Sequence, residues 1–171
     1  MSRPLSILQR IYPEGSAREL ADLLHNQGGT LVFTNGCFDI LHRGHIDYLS
    51  KAAALADRLV IGLNTDASVS RIKGQHRPIN DERGRAEVLA ALGFVDYVIL
   101  FGDDTPLELI RILQPDFLVK GSDYSVEDIV GADIVLAKGG KVITLDYLPG
   151  YSTSAIEERI RTDEYRISNK E

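Results

Sequence analysis

Leu31-Val32-Phe33-Thr34-Asn35-Gly36-Cys37-Phe38-Asp39-Ile40-Leu41-His42-Arg43-Gly44-His45 is the stretch whose reading decides the fold. It opens on an apolar run without polar alternation, the pattern of a strand buried on both faces. A turn of small and polar residues follows, and from about Gly44 to Ala56 the pattern is helical. A strand that passes through a tight loop into a helix presents that helix's unpaired N–H groups and positive dipole end beyond the strand's carboxyl end. Gly36 and Gly44 let backbone amides approach an anion closely. His42 and His45 stand at the helix entry, where both imidazoles can face one point and donate to a triphosphate or to charge developing at an attacked phosphorus.

Outward from this stretch the unit recurs. Leu59 to Asn64, Tyr97 to Leu100, Asp116 to Val119 and Lys141 to Leu145 read as further buried strands. Helical patterns separate them: one from Asp66, one from about Asp81 to Leu92, one ending near Leu113, and one ending at Lys138 before Gly139-Gly140. Thr105 is expected to cap the third of these, with Pro106 at its first position. Upstream, Ser16 is expected to cap a helix to about Asn26 that Gly28-Gly29 ends. The expected class is therefore α/β: a Rossmann-like, doubly wound, parallel five-stranded sheet with helices on both faces. Residues 1–29 read as a helical lead-in, 30–161 as the main domain and 162–171 as a polar, frayed C-terminal tail. Ligands of such sheets bind beyond the carboxyl ends of the strands, so the loops after Thr34, Asn64, Leu100, Lys120 and Leu145 are where a site belongs.

Composition narrows the function. The chain has 171 residues, enough for one full core, and a formal net charge of −6, which argues against a nucleic-acid partner. Its single cysteine, Cys37, excludes an internal disulfide framework and fits a reducing compartment. No apolar run approaches the roughly 20 residues of a membrane span, and the first ten residues lack a signal-peptide pattern, so a cytoplasmic protein without a membrane partner is expected. No G-x-x-x-x-G-K-[ST] run occurs, and no G-x-G-x-x-G follows the first strand; phosphate must be bound by another loop. Zinc-ligand spacing is missing, so no protein-held metal is expected, and His25 and His76 read as solvated or structurally hydrogen-bonded. Cys37 reads as a packing residue rather than a nucleophile, for want of an activating partner.

The run Thr34 to His45 resembles the H-x-G-H signature of the cytidylyltransferase-like nucleotidyltransferases. Arg71-Ile72-Lys73-Gly74, Arg77-Pro78-Ile79-Asn80, Asp104 to Ile110, Leu118 to Tyr124 and Gly150-Tyr151-Ser152-Thr153-Ser154 are similar to segments of the adenylyltransferases of ADP-heptose synthesis. The resemblance spans about residues 30–161, making that region a nucleotidyltransferase domain. It implies transfer of AMP from ATP to D-glycero-β-D-manno-heptose 1-phosphate, giving ADP-heptose for the lipopolysaccharide core and pyrophosphate. It also implies Mg²⁺ carried with ATP, and a separate heptose kinase upstream, this being the stand-alone transferase. His42, His45, Lys73 and Arg85 take catalytic roles by resemblance. Cys37, Phe38, Gly44, His45, Lys120, Gly121, Asp123, Ser152, Thr153 and Ser154 hold the nucleotide. Asn35, Asp39, Asp66, Arg71 and Lys73 meet the substrate. Asp39 has an alternative as a turn cap. At the level of the whole protein the alternatives are a cytidylyltransferase for glycerol 3-phosphate or another small phosphate ester, and a non-catalytic nucleotide-binding module. A homodimer is the default assembly for a soluble enzyme.

Overall fold

In the computed structural model, which describes residues 6–123 and 125–168, the strands are β1 (Ile11–Tyr12), β2 (Leu31–Gly36), β3 (Arg58–Asn64), β4 (Tyr97–Phe101), β5 (Phe117–Gly121) and β6 (Lys141–Leu145). The sheet thus has six strands, not five, in the order β1-β4-β3-β2-β5-β6. Every neighbouring pair is parallel. The added strand lies in the N-terminal lead-in, with Ile11 opposite Val98 and Tyr12 opposite Ile99. A two-residue strand stopped by Pro13 is too short to carry a period, which is why the pattern does not reveal it. The chain moves outward from β2 through β3 to β4 and later returns to the other side of β2. Strand order therefore reverses between β2 and β5, and the H-x-G-H loop leaves the sheet at that switch point.

Helices cover both faces. α1 (Ala17–Gln27), α5 (Leu107–Leu113) and α6 (Ala132–Ala137) share one core, where Leu20, Leu24, Ile110 and Val135 join Phe33, Val60, Ile99 and Leu118. α2 (Arg43–Ala53) and α4 (Glu82–Ala90) share the other, where Leu49, Ala52, Ala86 and Leu89 join Val32, Leu59, Ile61, Val98 and Val119. Val32 and Phe33 are adjacent yet belong to opposite cores, as do Leu59 and Val60. Period-2 pleating with both faces apolar is what removed the polar alternation from these runs.

Local signals hold unevenly. α3 (Asp66–Lys73) is capped by the Thr65 hydroxyl, which accepts from the Ser68 amide, and α4 by the Asp81 carboxylate, which accepts from the Gly84 amide at 2.7 Å. Ser16 stands at the N-cap of α1 but makes no side-chain cap; its hydroxyl donates back to the Pro13 carbonyl. Thr105 is not the cap of α5, because the Pro106 carbonyl accepts the Ile110 amide and closes the first turn from outside the helix. α7 (Thr153–Ser168) continues through most of the polar terminal stretch, so residues 162–168 belong to a helix; residues 169–171 lie outside the described residues. Helical backbone pairing does not require apolar side chains. Among the described residues no helix is long and apolar enough to cross a membrane.

Candidate active site

All five loops beyond the carboxyl ends of β2 to β6 meet at one cavity of about 500 Å³. Asn35, Gly36, Cys37 and Phe38 line it from the end of β2, Asn64 from β3, Asp104 to Pro106 from the segment after β4, Lys120 and Gly121 from β5, and Tyr147 from the segment after β6. His45 and Tyr48 reach it from α2, and Ile72 and Lys73 from the end of α3.

The loop from Gly36 enters α2 through a constrained path. Phe38 holds φ at 44°, the left-handed region that non-glycine residues seldom adopt. The His42 carbonyl accepts the His45 and Ile46 amides at 2.9 and 3.2 Å, forming the first turn of α2. A Cβ on Gly44 would lie 3.0 Å from the His42 ring and 3.1 Å from Tyr151 Cβ, so glycine is what lets both crowd the helix start. The Tyr151 hydroxyl accepts from Arg43 at 3.0 Å. Two residues on, α7 begins, with the Ser152 hydroxyl accepting the Ala155 amide. The N-termini of α2 and α7 thereby converge, and their dipoles and free amides favour an anion between them.

At this point the two histidines stack, with ring centroids 3.9 Å apart and planes inclined by 22°. The Phe38 ring meets His45 edge-on at 5.4 Å. Both Nδ1 atoms are buried and have no hydrogen-bond partner in the structure, a cost that a ligand would relieve. Burial lowers the pKa of His42, and burial, then His42 and Lys73, brings that of His45 down to about 4. The free site therefore carries neutral imidazoles near pH 7.

The cations divide into those that face the cavity and those that brace it. Lys73 lines the cavity from an exposed position; Lys120 lines it from a half-buried one, where desolvation brings its pKa down to about 8 against the opposing pull of Asp123. Arg85, expected as catalytic, is 2% exposed and donates to the Cys37 carbonyl at 2.6 Å, the Asn80 carbonyl at 3.0 Å and Asp66 at 2.7 Å. All three of its nitrogens are committed to protein groups, and it does not line the cavity. Arg71 donates to the Gly102 carbonyl and, at 3.3 Å, to Asp104.

Asp39 is 4% exposed and accepts from Arg77 at 2.7 Å, the Ile79 amide at 2.8 Å and the Asn80 amide at 2.9 Å. Burial pushes its carboxyl pKa up, but these bonds outweigh burial and hold it below the ordinary carboxylate range. Asp66 begins α3 and is engaged by Arg85. Of the residues assigned to the substrate, Asn35 and Lys73 thus face the cavity, while Asp39, Asp66 and Arg71 are engaged elsewhere. Of those assigned to the nucleotide, Cys37, Phe38, His45, Lys120 and Gly121 line it; Gly44 and Ser152 to Ser154 flank it where α2 and α7 meet. Asp123 is exposed beside Lys120, and Tyr124 of the same segment lies outside the described residues. The Cys37 sulfur lies 3.9 Å from Asn64 Oδ1, and burial raises its pKa, so the thiol stays protonated near neutral pH.

Several lining residues escape sequence reasoning. Tyr48, hydrogen-bonded to the Thr34 hydroxyl at 2.8 Å, sits one helical turn after His45, a spacing that could have found it. Asn64 is a buried polar residue closing an apolar strand, a visible signal. Tyr147 carries no sequence signal except its counterpart: a Cβ on Gly121 would fall 2.0 Å from the Tyr147 hydroxyl, so the ring needs glycine beneath it.

Comparison with known proteins agrees with this arrangement. A family model described as cytidylyltransferase-like matches residues 33–159. The bifunctional protein HldE of Citrifermentans bemidjiense is 57% identical over 136 residues, 80% of this chain and 28% of that protein. The HldE protein of Caulobacter vibrioides is 50% identical over 153 residues, 90% of this chain and 32% of that one. The chain therefore spans less than a third of the length of these curated relatives. Among solved structures, a lipopolysaccharide core biosynthesis protein from Thermoplasma volcanium is 29% identical with a TM-score of 0.55, covering 71% of this chain and 98% of that one. A pantoate-beta-alanine ligase from Francisella tularensis, 17% identical with a TM-score of 0.60 over 94% of this chain and 79% of that one, shares the fold. With the model matched across most of its length and the H-x-G-H loop at the switch point, the chain belongs to the cytidylyltransferase-like family.

Proposed function

We propose that the chain transfers AMP from ATP to D-glycero-β-D-manno-heptose 1-phosphate, forming ADP-heptose and releasing pyrophosphate. The observation that carries this reading is the stacked His42–His45 pair, with both Nδ1 atoms buried and unpartnered where two helix N-termini meet a cavity lined by Lys73 and Lys120. The identity to proteins named HldE supports the choice of acceptor and base.

The chemistry follows from the site. An oxygen of the sugar phosphate attacks the α-phosphorus of ATP, a new P–O bond forms, and the bond to the bridging oxygen of pyrophosphate breaks. A phosphate monoester has its second pKa near about 6 and is already ionised at pH 7, so no general base is needed. Positioning and charge neutralisation supply the acceleration. Lys73 and Lys120 hold the converging anions in the cavity. The histidines donate to the phosphate as charge builds on it, the triphosphate's own charge favouring their protonated forms. The amides opening α2 and α7, with the hydroxyls of Ser152 to Ser154, hold the outer phosphates.

Among the described residues no group of three or more His, Cys, Asp or Glu side chains could hold a metal ion. The carboxylates on the cavity, Asp104 and Asp128, are hard oxygen donors that suit an ion carried mainly by phosphate oxygens and water. Mg²⁺ bound in that way would neutralise charge on the triphosphate and its leaving group. The test is pyrophosphate release with ATP or CTP, each paired with heptose 1-phosphate or glycerol 3-phosphate. Turnover with ATP and heptose 1-phosphate is expected. Turnover confined to CTP and glycerol 3-phosphate would overturn the acceptor and base, and nucleotide binding without turnover on any pair would leave only a binding module.

A further inference from the structure

We infer that Asp39 and Arg85 serve the reaction as positioning residues, through one hydrogen-bonded network that joins these two buried side chains through Asn80 and fixes how the H-x-G-H loop, helix α3 and helix α7 face each other. This rests on the proposed transferase reading for its kinetic part and on geometry alone for the rest.

The network closes on itself. The Asn80 amide donates to Asp39 Oδ1 at 2.9 Å, its side-chain nitrogen donates to the Asp39 carbonyl at 2.6 Å, and its carbonyl accepts Arg85 Nε at 3.0 Å. Arg85 then grips the loop a second time at the Cys37 carbonyl and, with its last nitrogen, the Asp66 carboxylate at the start of α3. From the other side, Arg77 bridges the Asp39 carboxylate and Glu157 of α7. Three segments that carry phosphate-facing groups are thus tied together through the Arg77 to Asn80 turn: the loop with His42 and His45, α3 with Lys73 at its end, and α7 with Ser152 to Ser154 at its start.

The loop needs such holding. Its ends are fixed by β2 and α2, but its middle lies outside both, and Phe38 sits in a left-handed conformation that the surroundings must impose. Arg85 and Asp39 act at Cys37 and Asp39, on either side of Phe38. Neither touches the cavity, since their polar atoms are taken by protein. A misplacement of about 1 Å at a reacting group costs roughly 10² in rate, so losing one brace is expensive even though no substrate contact is lost.

Three variants test this: Arg85→Lys, Asp39→Asn and Asn80→Ala, the last removing a single side-chain bond and serving as the mildest should the others fail to fold. The network predicts that kcat falls by roughly 10 to 10² while KM for ATP and for the sugar phosphate each stay within about threefold. The double variant Arg85→Lys/Asp39→Asn should be about as slow as the worse single, because groups acting as one unit are non-additive. A substrate-free readout is built in: Cys37 is the sole cysteine, so its labelling rate by a disulfide reagent reports the loop directly and should rise severalfold in each folded variant. Unchanged Cys37 labelling in Asn80→Ala and whichever other variants fold would overturn the proposal. So would additive kinetic losses, or a KM increase confined to one substrate, which would mark a substrate contact. If the parent protein turned over none of the substrate pairs, the transferase reading would fall while the labelling comparison still decided the network.

Discussion

Replacing His45 with alanine separates chemistry from folding in this site. The imidazole stacks on His42 at 3.9 Å and meets Phe38 edge-on at 5.4 Å, contacts that together contribute on the order of 1 kcal/mol. Against that stands the buried, unpaired Nδ1, whose desolvation costs about 1 to 3 kcal/mol and disappears with the ring. The two nearly cancel, so the His45→Ala protein should unfold in urea within about 1 kcal/mol of the parent at pH 7. Its catalytic loss has no such offset: removing one donor to the developing charge costs about 10² to 10³ in kcat. The assay is single-turnover pyrophosphate release at saturating ATP and sugar phosphate, alongside urea unfolding of the same preparation. A rate within about threefold of the parent would refute the role of His45; a rate loss matched by loss of the fold would refute the cancellation.

Other consequences follow from the same geometry. Because burial brings His45 in the folded protein down to about 4 from its usual 6.5, the unfolded chain takes up the proton first; stability should fall as pH drops from about 6.5 to 4 and the His45-linked loss should level off below. Urea midpoints across that range check this, and His45→Ala should flatten the slope. Lys120, with a pKa of about 8 in the free protein, should lose its charge as pH rises past that value, so kcat/KM should decline above about pH 8 in the parent and much less in Lys120→Arg, which stays charged. Gly121→Ala places a methyl where the Tyr147 hydroxyl lies; displacement of the ring should raise KM by about tenfold, and an unchanged KM would show that Tyr147 does not shape the site. Cys37→Ala should retain turnover within about threefold, since its thiol stays protonated and no step of the reaction uses it.

The fold was legible wherever two faces of a strand are buried, as at Val32-Phe33 and Leu59-Val60, because burial on both sides writes an apolar run into the chain. β1 was not, since two residues beside Pro13 owe their place to the neighbouring β4 rather than to any pattern of their own. The H-x-G-H loop and the segments holding Lys73, Lys120 and Ser152 were legible as places, because loops beyond strand ends converge by topology. What individual side chains do there was less so. Arg85 and Lys73 are both basic residues downstream of the second strand, yet one is enclosed by three carbonyl and carboxylate acceptors and the other opens onto the cavity. That difference arises from helix packing and has no local sequence mark. Asp39 likewise reads equally well as a ligand contact or a turn cap until the Ile79 and Asn80 amides are seen to arrive from 40 and 41 residues away.

The most direct measurement is the product itself: incubation of the purified chain with Mg²⁺, ATP labelled at the α-phosphate and D-glycero-β-D-manno-heptose 1-phosphate, with the products separated by chromatography. The label is expected in ADP-heptose, with one pyrophosphate released per sugar nucleotide formed and none when the sugar phosphate is omitted. Label remaining in ATP, or passing to a sugar nucleotide only when CTP replaces ATP as the labelled donor, would contradict the assignment.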